Sequence, residues 1–247
     1  MIVFDLTGYL AHFRKIFSTT SSLSYSFPPR TTLCGMIAGI LGYDRDGYYE
    51  LFSSENCKIG LQVMKPVRHI LQVVNYLMTK KDAFNEFKKT FKWWRDPAQI
   101  RLVLIAAGER RLSEAHYRIF FHHKDASLMN DLEARLRSRK FYYPPSLGTA
   151  NHLATLKYVD SVDAEIFEPK GYLPISTVMP FPESIKPKEG LRILFEERVP
   201  FDFSKDRAFG KNKDYVYEET GKPIEAKVNG EVFKCKVNGE EIIGTFM

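Results

Sequence analysis

The chain has 247 residues, 44% apolar and 14% aromatic, with 19 Phe and 13 Tyr against 2 Trp, which is enough for a buried core and suits a β-rich or mixed chain better than a helical bundle. Lys plus Arg number 36 against 30 Asp plus Glu, a net charge of +6 that fits a polyanionic partner or a merely basic solvated surface. Three cysteines without Cys-x-x-Cys spacing indicate neither a disulfide framework nor a zinc site and suit a reducing cytoplasm, while no signal peptide or charge-free apolar span is read.

Residues 2–7 are a short β-rich run. After Pro28-Pro29, residues 31–42 predict a helix started by Thr31 or Thr32, with Leu33, Met36, Ile37, Ile40 and Leu41 as its buried stripe. Gly35, Ala38 and Gly39 carry almost no side chain and would let this helix lie close against a sheet. Residues 58–63 alternate, with Ile59, Leu61 and Val63 on one face. Apolar, β-branched character continues past Pro66 to about residue 77, too long for an ordinary strand, so this part is expected to project beyond the sheet. Residues 99–107 and 116–123 read as further strands, and 127–140 as a helix capped by Asp125 or Ser127 with Leu128, Leu132 and Leu136 facing the core. Strand character resumes over 153–162, after the Pro144-Pro145 break.

Strand, helix, strand, insertion, strand, helix, strand is the order of an α+β, ferredoxin-like βαββαβ domain, the arrangement of many RNA-binding modules, here assigned to residues 1–167. Five of the 13 prolines fall within 168–190 and mark a connector or wrapping arm. Val-Asn-Gly-Glu then occurs at 228–231 and 237–240, and Asn-Gly suits the type I′ turn of a hairpin in both places. Residues 168–247 are therefore expected to form a proline-rich connector and a small C-terminal antiparallel β domain.

Residues 11–32 combine the three chemistries that single-stranded RNA requires. His12, Arg14, Lys15 and Arg30 can neutralise phosphate, Ser18, Thr19, Thr20 and Ser21 can hydrogen-bond to it, and Phe13, Phe17 and Tyr25 can stack on bases. The amides of Thr31 and Thr32 at a helix start would point at an anion. A capped, solvated loop before an amphipathic helix is the alternative.

His12-Phe13-Arg14, the hydroxyl-rich run after it, Phe27-Pro28-Pro29-Arg30-Thr31-Thr32 and a glycine-containing helix closed by Leu41-Gly42 together resemble the fifth family of Cas proteins. These are CRISPR-associated RAMP proteins that bind the 5′ handle of the guide RNA in type I Cascade, and the overall layout is most similar to the type I-B branch. Pro144-Pro145-Ser146-Leu147-Gly148 resembles the family's Pro-x-x-Leu-Gly loop and adds Gly148 to the expected RNA contacts. The resemblance implies a non-catalytic, cofactor-free and metal-free cytoplasmic subunit in antiviral defence. Such a subunit hooks the handle, caps the filament of backbone subunits, docks the large subunit and meets target DNA only indirectly, with no membrane involved. It also implies a thumb at about 67–99, where Arg68, His69, Lys92, Trp93, Trp94 and Arg95 are the candidate RNA or partner contacts, unless the tryptophans pack beneath the insertion.

One branch of the family, type I-C, cuts the CRISPR repeat without metal through Tyr, Lys and His. The corresponding candidates are Tyr43, His122, His123 and Lys124, although the order His-His-Lys differs from the Lys-His of that branch. Three functions thus remain compatible with the residues: a handle-binding scaffold, a metal-independent repeat endoribonuclease, and an unrelated ferredoxin-like RNA- or protein-binding domain.

Overall fold

The computed structural model describes residues 1–18, 22–76, 81–92, 98–107, 114–203 and 211–247. Thr19, Thr20, Ser21, Trp93, Trp94 and Arg95 fall outside the described residues. The first part of the chain runs β1 (Ile2–Gly8), β2 (Phe13–Arg14), β3 (Ser24–Tyr25), α1 (Arg30–Leu41), β4 (Cys57–Val63), β5 (Val67–Tyr76), α2 (Lys81–Thr90), β6 (Ala98–Ala107), β7 (Ala115–His123), α3 (Ala126–Ser138) and β8 (Thr155–Ser161). It is an α+β chain whose named strands all pair antiparallel.

The central sheet has the order β4-β7-β1-β8. Its register aligns alternate residues on one face: Phe4 and Leu61 both pair with Ile119, and Leu6 and Val63 both pair with Tyr117. These side chains share one core with Leu33, Ile37 and Ile40 of α1 and with Leu128, Leu132 and Leu136 of α3, as period-2 and period-3.6 patterns require when a sheet meets helices. The intervening residues Val3 and Phe120 point the other way and pack with Phe233 and Cys235 from the C-terminal part.

Helix α1 begins at Arg30, not at a threonine; Pro29 holds the cap position with φ −55° and no side-chain cap. Its carbonyl accepts the first helix bonds, from the Thr32 and Leu33 amides at 2.9 and 3.1 Å. The helix closes at Gly42, whose left-handed backbone lets its N–H reach the Ala38 and Gly39 carbonyls. Gly35 and Gly39 do not face the sheet. A Cβ at Gly35 would come 2.9 Å from Tyr48 Oη, and one at Gly39 4.0 Å from Tyr143 Cβ. Helix α3 is capped by Asp125, which accepts from the N–H groups of Ser127 at 2.8 Å and Leu128 at 3.3 Å.

Strands β5 and β6 form a ladder of their own, from Val67↔Ala107 to Tyr76↔Ala98. The insertion therefore extends to Ala107 rather than ending near 99, because β6 pairs with β5 and not with the central sheet. Its base is tied down by Ala11, whose N–H and C=O bond Ile105 at 2.9 and 2.8 Å, and by the Val103 N–H donating to Ser22 O at 2.9 Å.

The remaining strands are β9 (Ala164–Phe167), β10 (Tyr172–Ile175), β11 (Met179–Pro180), β12 (Ser184–Lys186), β13 (Ile193–Pro200), β14 (Asn212–Glu218), β15 (Ile224–Lys227), β16 (Val232–Val237) and β17 (Glu240–Thr245). They make three small sheets, β10-β15-β12, β11-β14-β13 and β17-β16-β9. Val178, Val199, Tyr215, Tyr217 and Met247 enter the main core, and the Val178 and Met247 amides donate to Leu61 and Ile59 on the edge strand β4. Of the two Asn-Gly pairs, Asn238-Gly239 has both φ angles positive and joins paired strands β16 and β17. Asn229-Gly230 does not make the expected hairpin: only Gly230 has positive φ, and β16 pairs with β9 and β17 rather than with β15. No helix among the described residues is long and apolar enough to cross a membrane.

Candidate nucleic-acid interface

The segment from Ala11 to Thr32 crosses the base of the β5–β6 hairpin, and its cations have separate fates. Arg14 is exposed, its Nη2 making a long 3.5 Å contact with Ser18 O. Lys15 is half-buried and donates to Glu196 Oε2 at 2.6 Å. His12 is buried; its Nδ1–H donates to Val103 O at 2.8 Å, and burial pushes its pKa down, so it stays neutral at pH 7. Phe13 and Tyr25 are buried in the core, Ser18 is buried and Phe17 is exposed.

Arg30 corrects the expectation of a phosphate ligand. It is 1% exposed, Nη2 donates to Phe52 O and Cys57 O at 2.9 Å each, and Nη1 reaches Phe201 O at 3.2 Å and Asp202 Oδ1 at 3.4 Å. A guanidinium has five N–H donors in one plane, and here they join three segments of chain. The α1 start is likewise turned inward: Thr31 is buried and the Thr32 amide donates to Pro29 O at 2.9 Å. The Thr32 amide is thus spent in closing the first turn of the helix.

Gly148 sits at φ +91°, where a Cβ would collide with the His12 carbonyl. The loop around it is pulled in by His12 N–H donating to Leu147 O at 3.0 Å. Gly148 thereby brings two distant segments into contact. Along the seam runs a groove of 330 Å³ lined by Thr32, Gly35 and Gly39 of α1 and by Tyr48, Tyr143, Ser146 and Gly148. Two glycines of α1, the side chains of Tyr48 and Tyr143 and the hydroxyl-bearing Thr32 and Ser146 make up its walls, with Tyr48 Oη lying over Gly35. A flat base can stack on such walls, and ribose or phosphate oxygens can meet the hydroxyls.

Arg68 and His69 are exposed on adjacent positions of β5 and therefore point to opposite faces of the hairpin; Lys92 is exposed beyond α2. Arg68 lines a 390 Å³ cavity at the hairpin base with Arg192, Glu218 and Lys222.

Tyr43, His122, His123 and Lys124 are not assembled into one set. Tyr43 is exposed and packs edge-on against Phe52, with ring centroids 6.1 Å apart. His123 is buried beneath the same Phe52; its Nε2–H donates to Leu51 O and its Nδ1 accepts from the Asp125 N–H, both at 2.9 Å. Both nitrogens are thus occupied in holding the turn into α3. His122 projects from the opposite face beside Lys58, its pKa pushed down by burial and by nearby positive charge. Lys124 is exposed.

A model of the family described as "CRISPR-associated protein (Cas_Cas5)" matches residues 1–196. The chain belongs to this CRISPR-associated family. The solved structures that resemble this Cas5-family chain include a CRISPR protein from Archaeoglobus fulgidus, 17% identical with a TM-score of 0.51 over 99% of this chain and 100% of that one. Another is a chain of the Type III-B Cmr-beta complex bound to cognate target RNA and AMPPnP, 11% identical with a TM-score of 0.51 over 90% of this chain and 86% of that one. A third is a chain of a CRISPR RNA-guided surveillance complex, 15% identical with a TM-score of 0.46 over 93% of each. At these identities the first two likenesses are of fold alone. No curated protein matches the chain.

Tyr48, Tyr143 and Glu196 were not among the residues expected from the sequence of this Cas5-family chain. Tyr143 had a local signal, an aromatic pair directly before Pro144-Pro145. Glu196 had none, since an acidic residue in an alternating strand reads as solvent-facing.

Proposed function

We propose that this chain is a non-catalytic RNA-binding subunit of a type I CRISPR effector complex, holding the 5′ handle of the guide RNA. The observation that carries it is the groove between α1 and the 143–148 loop. The two stretches that resemble the family, more than 100 residues apart in sequence, line one cleft with glycines and hydroxyls, and Tyr48 and Tyr143 from just outside them add two aromatic rings. The order β4-β7-β1-β8, with α1 and α3 on one face, supports a ferredoxin-like RAMP domain. The long β5–β6 hairpin supports a thumb directed at RNA and a neighbouring backbone subunit, and a protein of like fold belongs to an RNA-bound Cmr-beta complex. The absence of a shared acid–base set among Tyr43, His122, His123 and Lys124 favours binding over cleavage, since acid and base must both reach the reacting atoms.

The test is fluorescence anisotropy of single-stranded handle RNA against the full chain at two salt concentrations, with Tyr143→Ala and Arg14→Ala. Affinity should fall with salt and drop by about tenfold in each variant, from the loss of one stacked base or one phosphate contact. Salt-insensitive binding, or variants indistinguishable from wild type, would refute it. A discrete cleavage product from labelled repeat RNA in EDTA would replace the scaffold with an endoribonuclease.

A further inference from the structure

Strand β13 changes register against β14 between Glu196 and Val199, and at that slip Arg198 takes φ 52°. A left-handed arginine is a costly backbone choice, and bulges of this kind re-aim side chains. Here the slip sends two charges in opposite directions. Glu196 turns inward, buried, and accepts from Ser26 N–H at 2.9 Å, Ser26 Oγ–H at 2.7 Å and Lys15 Nζ at 2.6 Å. Arg198 turns outward and lays its guanidinium over the Phe17 ring at 4.4 Å, while its carbonyl accepts the Tyr25 hydroxyl at 2.6 Å. Its backbone N–H is held by Asp214 Oδ1 at 2.8 Å.

The charge balance of the Arg14–Tyr25 segment follows. Lys15 is neutralised from within by Glu196. Among the described residues, no carboxylate pairs with the guanidinium of Arg14 or of Arg198, and both border the turn that carries Phe17. Two open guanidinium groups beside an exposed ring can take one nucleotide of single-stranded RNA: phosphate by the forked donors, base by the stacked planes.

We infer that Arg198, from the C-terminal part of the chain, is an RNA-contacting residue that completes a clamp with Arg14 and Phe17. The inference rests on the RNA-binding function proposed above and extends it to a residue outside the family-like motifs. Glu196 is a positioning residue, because it holds Lys15 and Ser26 and with them the loop.

The test is anisotropy of single-stranded handle RNA on the full chain across a salt series, for wild type, Arg14→Ala, Arg198→Gln, Arg198→Lys, Arg198→Gly and the distant control Lys236→Gln. Arg198→Gln should weaken binding about tenfold at low salt and flatten the log–log salt dependence by about 0.7, one single-strand phosphate contact. Arg198→Lys should retain the slope, and Lys236→Gln should match wild type. Arg198→Gly suits the left-handed backbone, so it should keep or raise the thermal midpoint while losing the same affinity; this separates RNA contact from a folding defect. If Arg198→Gln keeps wild-type affinity, or loses affinity with an unchanged slope, the clamp is overturned even though Arg14→Ala behaves as expected. If wild type itself binds without salt dependence, the RNA-binding function fails instead.

Discussion

Replacing Arg30 should damage stability before it damages RNA affinity. Its guanidinium satisfies three carbonyls, two of them buried, and lies 3.4 Å from Asp202 Oδ1, and its Cζ sits 5.4 Å from the Phe201 centroid. Alanine leaves the Cys57 and Phe201 oxygens without the Arg30 donor and Phe52 O with only the weak Cys34 thiol at 3.7 Å, while Asp202 keeps the N–H donors of Ser54 and Phe203. Each hydrogen bond from a charged donor is worth about 1.5–3 kcal/mol, and removing one member of a buried pair costs roughly 3–5 kcal/mol. A 200 Å³ cavity beside Arg30 can admit water to part of the gap, which favours the lower end, about 3 kcal/mol. Arg30→Lys retains the charge without the fork, and about 2 kcal/mol should be lost. Urea denaturation followed by circular dichroism measures both, with handle affinity determined on protein that remains folded. An Arg30→Ala variant within about 0.5 kcal/mol of wild type that nonetheless loses RNA would refute the structural role and restore Arg30 as a phosphate ligand.

Gly148→Ala cannot keep the present backbone, because φ +91° is unfavourable for alanine and the new methyl would meet the His12 carbonyl; a loss of about 2 kcal/mol or more, with weaker handle binding, is expected by thermal melting and anisotropy, and an unchanged midpoint would contradict it. Asp5 gives an acid-range prediction. Burial raises its carboxyl, but the His116 ring 3.2 Å away, the two Arg118 hydrogen bonds and the Arg118 charge outweigh this and hold the pKa at about 2, below the ordinary 3.8. A folded value below the unfolded one gives stability that is fully present above about pH 4 and is lost as pH falls toward 2. Thermal midpoints between pH 5 and 2 should therefore fall more steeply for wild type than for Asp5→Asn, and parallel curves would rule out this contribution.

Much of the fold was legible from local pattern. The alternation in 58–63 and 116–123, the Leu128, Leu132 and Leu136 spacing and the Asp125 cap depend on neighbours a few residues away, and each appears as expected. The opposition of His122 and His123 was implicit in strand periodicity, since consecutive side chains leave a strand on opposite faces. Other features required the folded chain. Arg30 and Arg14 stand in one cationic segment, yet one is buried by carbonyls up to 171 residues away and the other is left open. Lys15 is neutralised by Glu196, and the same carboxylate holds Ser26 across 170 residues. The sequence by itself determined the order of the main elements, the α3 cap and the alternating faces, because backbone sterics and hydrophobic period act over a few residues, and its motifs carried the family resemblance. Only the tertiary structure decided which cations face solvent, because a charge is buried or freed by partners that reach it only after distant strands have packed.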